Sequence, residues 1–442
     1  MHPSKMRMSA VAWSLLCSIA STHSTPGLLP NVNATFDSWP KPFTLAVDPV
    51  FIESLRQRVG ATRLPVEPQG QLARGTDGPP VANATTIRDY WVEEYDWDAV
   101  QAAINKGFKQ YTIAVEIRQA NHSRSIPLHY VHHRSPRADA IPLLFVHGWP
   151  GSFLEVKNII GNLTNPPNSS VPAFHVIAPS IPGFGFSPAP LWDGFGPDEA
   201  GQAFNALMVK LGYEKYVYQA GDFGGLIFPY LAARYPENLV SGLSNFWLVQ
   251  PNATDLARYE KNESSVDESA YVKNILNFID NESGYRIVQQ TSPLSLAYAL
   301  TDSPLGFALW IYNLMRIAID PTVSTWTIEQ IITWSLMYTI QGPYGGLRLY
   351  EMMLREGAFA GFGIGLPPYV KQPVAVSQFP HDVWYQEPLD WAQRQGNVKR
   401  RFIHDHGGHF AAWDTPEALL EDIWTWFGDR EASNTKVFNG RH

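Results

Sequence analysis

The segment Val217-Tyr-Gln-Ala-Gly-Asp-Phe-Gly-Gly225 has the pattern of an apolar strand followed by a sharp turn and a helix. Asp222 stands at the turn, and small residues occupy the positions two before it and two and three after it: Ala220, Gly224 and Gly225. This is the spacing of a nucleophile elbow, with Asp in the position of Ser in G-x-S-x-G. Small residues are needed there because the turn is strained and the helix packs close to the strand. An Asp that caps a helix after a strand fits the same segment, so both interpretations stay open at this point.

On both sides of this segment, apolar runs alternate with helical patterns. Ile141–Val146 and Phe174–Pro179 are short apolar runs, as expected of strands that are buried on both faces. This alternation predicts an α/β fold with a mostly parallel, doubly wound sheet, and the helical pattern that interrupts it predicts an inserted lid. The lid helices are predicted at Glu268–Ile279, Leu294–Ile319 and Thr327–Leu354, the last with a break at Gly342-Pro343. The predicted division is a signal peptide at 1–20, an N-terminal extension at 39–135, a first core part at 136–250, the helical lid at 251–368 and a second core part at 369–442.

Three further candidates for chemistry follow predicted strands. His147-Gly-Trp-Pro-Gly151 comes directly after the strand at 141–146. Its glycine-rich backbone can aim N–H groups at a developing negative charge, although a plain strand-to-helix turn has the same composition. Asp382 and His409 follow the last two predicted strands, and the order Asp222, Asp382, His409 is the α/β-hydrolase order of nucleophile, acid and base. Each candidate lies at the C-terminal end of a strand, where open α/β sheets hold their sites.

A metal site is the competing interpretation of the histidines near the C-terminus. His404, His406 and His409 are close in sequence, but His404 falls inside a predicted strand and the Gly407-Gly408 pair does not fix a ligand geometry. The single cysteine, Cys17, excludes intrachain disulfides, multi-cysteine zinc sites and iron–sulfur clusters. We therefore expect no metal site.

The composition is that of a globular protein of one large domain or two to three smaller ones. The chain has 442 residues, of which 45% are hydrophobic, and its 33 Lys+Arg against 41 Asp+Glu leave a net charge of −8. A nucleic-acid partner is disfavoured because binding to a phosphate backbone needs a basic surface.

The N-terminus and the sequons both indicate the secretory route. Lys5 and Arg7 precede an apolar run at 8–20, which predicts a secretory signal peptide, with an uncleaved anchor as the alternative. No later run is long and apolar enough to span a membrane. We expect a secreted protein or one in the lumen of the secretory pathway. The chain carries eight N-x-S/T glycosylation sequons, at Asn33, Asn83, Asn121, Asn162, Asn168, Asn252, Asn262 and Asn281.

From about residue 39 to the C-terminus, the chain resembles the epoxide hydrolases of the α/β-hydrolase superfamily, in the microsomal and juvenile-hormone branch. His147-Gly-Trp-Pro-Gly-Ser152 resembles the oxyanion motif of that branch. Ala-Gly-Asp222-Phe departs mildly from its usual Gly-Gly-Asp-Trp, and Asp382 stands where the branch often has Glu. The N-terminal marks are Pro42-Phe43, Leu55-Arg-Gln-Arg58, Thr62-Arg-Leu-Pro65, Tyr90-Trp91 and Tyr95-Asp-Trp-Asp98.

The resemblance implies roles for individual residues. Asp222 is expected to attack the epoxide and form an ester, which water activated by His409 and Asp382 then hydrolyses. Two lid tyrosines donate to the epoxide oxygen in this family; the matching segments carry the roles to Tyr285 and Tyr350, with Tyr338 and Tyr344 as rivals for the second. The backbone N–H groups of Trp149 and Phe223 are expected to form the oxyanion hole. The expected partners are a small apolar epoxide and water, and a homodimer is left open. The implied reaction needs neither a metal nor an organic cofactor.

Three other functions remain as alternatives. A haloalkane dehalogenase also uses an Asp nucleophile, but Phe223 stands where such enzymes often have a hydrogen-bonding Trp. A biosynthetic enzyme that opens a complex epoxide with an internal hydroxyl could use the same residues, and an inactive binding protein could share the fold. The aromatic lid suggests a bulky apolar substrate, on the basis of Trp310, Tyr312, Trp326 and Trp334, although lid aromatics more often belong to the core than to a pocket wall.

Overall fold

A computed structural model describes residues 29–68, 77–119, 122–190, 192–247, 249–358 and 367–438. The signal peptide predicted at 1–20, Cys17 and the sequon at Asn121 lie outside these residues. Nine strands are described: β1 (Lys41–Phe43), β2 (Gln110–Gln119), β3 (His122–His133), β4 (Ile141–Val146), β5 (Phe174–Pro179), β6 (Tyr216–Ala220), β7 (Leu239–Ser244), β8 (Val370–Gln378) and β9 (Gly396–Ile403).

These strands form one sheet in the order β1-β2-β3-β5-β4-β6-β7-β8-β9. β4 to β9 pair in parallel, and β1, β2 and β3 are joined to one another and to β5 by antiparallel pairing. The predicted mostly parallel sheet is therefore confirmed. β2 and β3 belong to the same sheet as the core strands, so the division predicted between residues 135 and 136 does not separate two sheets.

The helices fall into an N-terminal group, a core group and a lid group. The N-terminal helices are α1 (Pro49–Gly60), α2 (Val81–Glu93) and α3 (Trp97–Gly107). The core helices are α4 (Ile160–Thr164), α5 (Pro197–Lys210), α6 (Phe223–Arg234), α14 (Leu389–Ala392), α15 (Ala411–Asp414) and α16 (Pro416–Gly428). The lid helices are α7 (Ala253–Glu260), α8 (Val266–Asn277), α9 (Gly284–Thr291), α10 (Pro293–Asp302), α11 (Pro304–Ala318), α12 (Ile328–Thr339) and α13 (Tyr344–Arg355), with a π-helical turn at Phe278–Glu282 after α8.

Two of the breaks between lid helices lie beside a proline. The break predicted at Gly342-Pro343 is confirmed, because α12 ends before it and α13 begins after it. The helix predicted over 294–319 is instead two helices that meet at Ser303, whose hydroxyl accepts from the N–H of Gly306 and caps α11. Within the described ranges no single helix is long and apolar enough to cross a membrane; only α10 and α11 taken together reach that length, and they are bent by 119°.

Candidate active site

The turn between β6 and α6 has the strained geometry of a nucleophile elbow. Asp222 has a φ of +42°, a backbone conformation that non-glycine residues rarely adopt. A Cβ atom added to Gly224 would overlap the carbonyl oxygen of Val146, and one added to Gly225 would overlap that of Phe246. The small residues around Asp222 are therefore required by the close approach of α6 to the neighbouring strands, as the sequence pattern predicted.

The His147–Gly151 loop holds one oxygen of the Asp222 carboxylate. The backbone N–H of Trp149 donates to Oδ1 of Asp222 over 2.7 Å. A Cβ atom on Gly148 would overlap that same oxygen, so only glycine leaves room for the carboxylate here. Phe223, the second predicted oxyanion residue, is the first residue of α6, where helical N–H groups lack intrahelical acceptors.

The structure brings His409 between the two predicted carboxylates. Its Nε2 lies 3.5 Å from Oδ2 of Asp222, and its Nδ1 lies 3.0 Å from Oδ2 of Asp382. The other oxygen of Asp382 accepts from the N–H of Val383 at 2.8 Å, which fixes the orientation of this carboxylate. The backbone N–H of His409 donates to the carbonyl of Ala318, so the lid supports the loop that carries the histidine.

The other two histidines of the same segment have different partners. Nε2 of His404 lies 2.7 Å from Asp422, and Nδ1 of the exposed His406 lies 2.6 Å from Asp405. His409 alone of the three faces Asp222. The three rings do not converge on a common point as ligands of one metal would.

Electrostatics favour the charged form of His409. Burial opposes the imidazolium, but the carboxylates of Asp382 and Asp222 outweigh burial and raise the pKa of His409 well above its usual value. At neutral pH the resting site therefore contains an imidazolium beside the Asp222 carboxylate.

The two predicted tyrosines meet above the carboxylate. Tyr285 on α9 and Tyr350 on α13 have ring centroids 6.0 Å apart, and Trp149 stacks on Tyr285 at 5.8 Å. Burial, together with the negative charge of Asp222, raises the pKa of both hydroxyls. Both tyrosines are therefore protonated at neutral pH and can act as hydrogen-bond donors.

The two rival tyrosines point elsewhere. The hydroxyl of Tyr338 donates to the carbonyl of Gly151 at 2.5 Å, which occupies its donor within the core. Tyr344 lines a separate cavity, on the other side of α13, together with Trp192 and Arg348. Of the three candidates for the second tyrosine, Tyr350 alone shares a cavity with Tyr285 and Asp222.

The cavity shared by Tyr350, Tyr285 and Asp222 has largely apolar walls. It contains Asp222, His409, Asp382, both tyrosines and Trp149, and its apolar walls are formed by Phe246, Phe278, Leu314, Ile317, Val383, Trp384 and Phe410. Sequence reasoning missed the polar residues of this lining, Glu282, Arg286 and His381. Arg286 and His381 are sequence neighbours of predicted residues, which is the one signal that could have found them.

Trp310, Tyr312, Trp326 and Trp334 are not among the residues that line this cavity, which agrees with the alternative that lid aromatics belong to the core. Trp326 and Trp334 stack on each other at 4.0 Å, and Trp310 donates to Gln289. The hydroxyl of Tyr312 accepts from Asn83. These rings pack within the lid and against α2, because large aromatic side chains gain much from burial.

Fold and site together define an α/β-hydrolase with an Asp–His–Asp constellation under a helical lid. A family profile described as "alpha/beta hydrolase fold" matches residues 141–262, and one described as "Epoxide hydrolase N terminus" matches residues 40–156. The "Putative epoxide hydrolase" of Stigmatella aurantiaca is 32% identical over 86% of this chain and 83% of its own length. Epoxide hydrolase 1 of Sus scrofa is 29% identical, with 88% of each chain covered.

The chain belongs to the epoxide hydrolase family, in the microsomal and juvenile-hormone branch, and is an enzyme that hydrolyses an epoxide to a diol. The fold agrees with solved structures. The juvenile hormone epoxide hydrolase of the silkworm Bombyx mori superposes with a TM-score of 0.79 at 24% identity, covering 91% of this chain and 96% of the other. The Aspergillus niger epoxide hydrolase superposes with a TM-score of 0.74 at 24% identity, covering 91% of this chain and 100% of the other.

Proposed function

We propose that this enzyme opens its epoxide through a covalent ester on Asp222. The two oxygens of this carboxylate have different surroundings, which is the observation that carries the proposal. Oδ1 is held by the N–H of Trp149, and Oδ2 is the oxygen nearer to His409 in the substrate cavity. Oδ2 therefore attacks a ring carbon, and the ring C–O bond breaks as the new ester bond forms.

The leaving oxygen of the epoxide needs a proton, since an alkoxide is a poor leaving group. Tyr285 and Tyr350 face the same cavity as Asp222 and hold their protons at neutral pH. One hydroxyl donates its proton to the alkoxide while the other stabilises it by hydrogen bonding. This step leaves a hydroxy ester and a tyrosinate.

Ester formation changes the charge next to His409 and so prepares the second step. The carboxylate charge of Asp222, which raised the pKa of His409, is lost when the ester forms, so the pKa of His409 falls. The imidazolium proton then passes to the tyrosinate through the solvent of the cavity. His409 becomes a neutral imidazole, still oriented by Asp382, and can act as a base.

Hydrolysis returns the enzyme to its starting state. His409 takes a proton from water, and the resulting hydroxide attacks the carbonyl carbon of the ester. The oxyanion forms at Oδ1, where Trp149 already donates a hydrogen bond and Phe223 begins α6. Collapse of the tetrahedral intermediate breaks the bond between the carbonyl carbon and the former Oδ2, which leaves as an oxygen of the diol. This oxygen takes the proton of the new carboxylic acid. The Asp222 carboxylate and the His409 imidazolium are thereby restored.

A single turnover in ¹⁸O-water tests this route. Enzyme in excess over styrene oxide should yield a largely unlabelled first-turnover diol and a labelled Asp222 peptide, because water oxygen replaces Oδ2. Label in the diol with none in Asp222 would establish direct attack by water and remove Asp222 as nucleophile. The wild-type protein incubated without epoxide is the control for background exchange.

The cellular location is a separate proposal: the chain enters the secretory pathway and is glycosylated. Its support is the basic and apolar segment at 1–20 and the eight sequons. Six of the seven described sequon asparagines are exposed to solvent: Asn33, Asn162, Asn168, Asn252, Asn262 and Asn281. Asn83 is partly buried, and its amide donates to the hydroxyl of Tyr312.

A further inference from the structure

A buried carboxylic acid that the mechanism does not use lies behind the His147–Gly151 loop, which is called the oxyanion loop below. Glu155 is in the 3₁₀ turn Phe153–Asn158, which directly follows this loop, and is only 8% exposed. Its carboxyl fills the space that a side chain at Gly151 would occupy, because a Cβ atom built there would overlap Oε1 of Glu155. The carboxyl of Asp222 occupies the corresponding space at Gly148. The two acids are thus separated by the backbone of one short loop.

We propose that Glu155 is a positioning residue for ester hydrolysis, whose carboxyl supports the oxyanion loop and must remain uncharged while the oxyanion forms on Asp222. The proposal rests on the ester mechanism proposed above. An ionised Glu155 would place a second negative charge behind the loop that stabilises the first, and like charges in a poorly solvated site repel strongly. The uncharged acid imposes no such penalty.

The surroundings of Glu155 keep its carboxyl protonated at neutral pH. Burial raises its pKa to about 8, and the charges of Asp222 and Asp414 act in the same direction. The charge of His409 and a hydrogen bond with the backbone of Gly148 oppose this shift without cancelling it. From the lid, Tyr338 covers the same loop, with its hydroxyl on the carbonyl of Gly151.

The proposal predicts an alkaline limit in one step of the reaction. Ester hydrolysis should slow above an apparent pKa near 8, so that its rate at pH 9 is about tenfold below its rate at pH 7. Deprotonation of His409 cannot cause this decrease, because hydrolysis requires the neutral imidazole. Ester formation should not show the same limit, since no oxyanion forms on Asp222 during that step.

Stopped-flow measurement of ester formation and decay from pH 6 to 10, with styrene oxide as the probe, tests this in the wild-type enzyme and in Glu155→Gln. The amide is neutral at every pH, so Glu155→Gln should keep the wild-type hydrolysis rate at pH 7 within about threefold and lose the decrease at pH 9. Glu356→Gln is the matched control: burial also raises the pKa of Glu356 to about 8, but its carboxyl lies at Gly196, outside the substrate cavity. This control should keep the wild-type decrease.

Three outcomes would overturn the proposal. They are a wild-type hydrolysis rate that does not fall between pH 7 and 9, a Glu155→Gln profile identical to that of the wild type, and a folded Glu155→Gln whose hydrolysis is equally slow at every pH. The wild-type measurement decides the first even if the variant does not fold. Failure of the ester mechanism itself is distinguishable, since no alkyl-enzyme would then accumulate in any of the three proteins.

Discussion

Nε2 of His409 lies 3.5 Å from Oδ2 of Asp222, whereas Oδ1 of the same carboxylate is held by the backbone of Trp149. The histidine thus faces the oxygen that is proposed to enter the diol, and the loop holds the oxygen that becomes the oxyanion. This arrangement separates the two chemical steps between different residues, so substitutions should affect the steps separately.

His409→Gln should accumulate the ester. Attack by Asp222 needs no base, because a carboxylate is itself a nucleophile, whereas hydrolysis needs the imidazole. We expect intact-protein mass spectrometry to show addition of one styrene oxide molecule to His409→Gln, with decay of the adduct slowed by about 10²-fold or more. Asp222→Ala, the control, should show no adduct. A His409→Gln enzyme that turns over at the wild-type rate would contradict the two-step mechanism.

The tyrosine pair should act on the first step. Tyr285→Phe and Tyr350→Phe should each slow ester formation by about a hundredfold, because each removes a donor to the developing alkoxide. Tyr344→Phe is the matched control on the same helix as Tyr350, since its ring lines a different cavity. Pre-steady-state kinetics would measure the rates. If Tyr344→Phe were as slow as Tyr350→Phe, the assignment of the second donor would have to change.

The glycine at the start of the oxyanion motif should be essential. Gly148→Ala places a methyl group on Oδ1 of Asp222, so the carboxylate must move and ester formation should fall by about a hundredfold. Gly161→Ala has open space around its new methyl group and lies in α4. It should keep full activity and gain up to about 1 kcal/mol of stability from the better helix propensity of alanine. Equal activity of the two variants would mean that the carboxylate tolerates displacement.

The exposure of the sequons predicts their occupancy. When the chain is expressed in a eukaryotic secretory host, peptide mapping after enzymatic deglycosylation should find glycans on the six exposed asparagines listed above for the described residues. Asn83 should be unmodified, because it is partly buried in the folded protein and its amide donates to the lid residue Tyr312. A protein without any glycan would argue against the secretory route, and a glycan on Asn83 would mean that modification precedes docking of the lid.

Much of the fold followed from local patterns. Apolar runs identified the strands β4 to β6, and Gly342-Pro343 marked the break between α12 and α13. The division predicted at residue 135 did not indicate that β3 continues the core sheet, because the pairing of β3 with β5 joins residues far apart in sequence. The extra break at Ser303 was missed, since an apolar periodicity that continues across a proline hides the change of helix direction.

The sequence alone determined the sharp strand-to-helix turn at Asp222, because such a turn requires small residues on both sides within nine consecutive positions. Only the structure shows that the Asp222 side chain does not cap α6, as the alternative interpretation required. The sequence also determined the order of Asp222, Asp382 and His409, which the structure brings together at the ends of three strands. Side-chain direction, in contrast, was decided only by tertiary packing. Packing separates Tyr350 from Tyr338 and Tyr344 and brings Glu155 behind the oxyanion loop. It also keeps the four lid aromatics Trp310, Tyr312, Trp326 and Trp334 out of the cavity. The physical reason is that an aromatic or acidic residue is compatible with several local environments, and only contacts between distant segments select one.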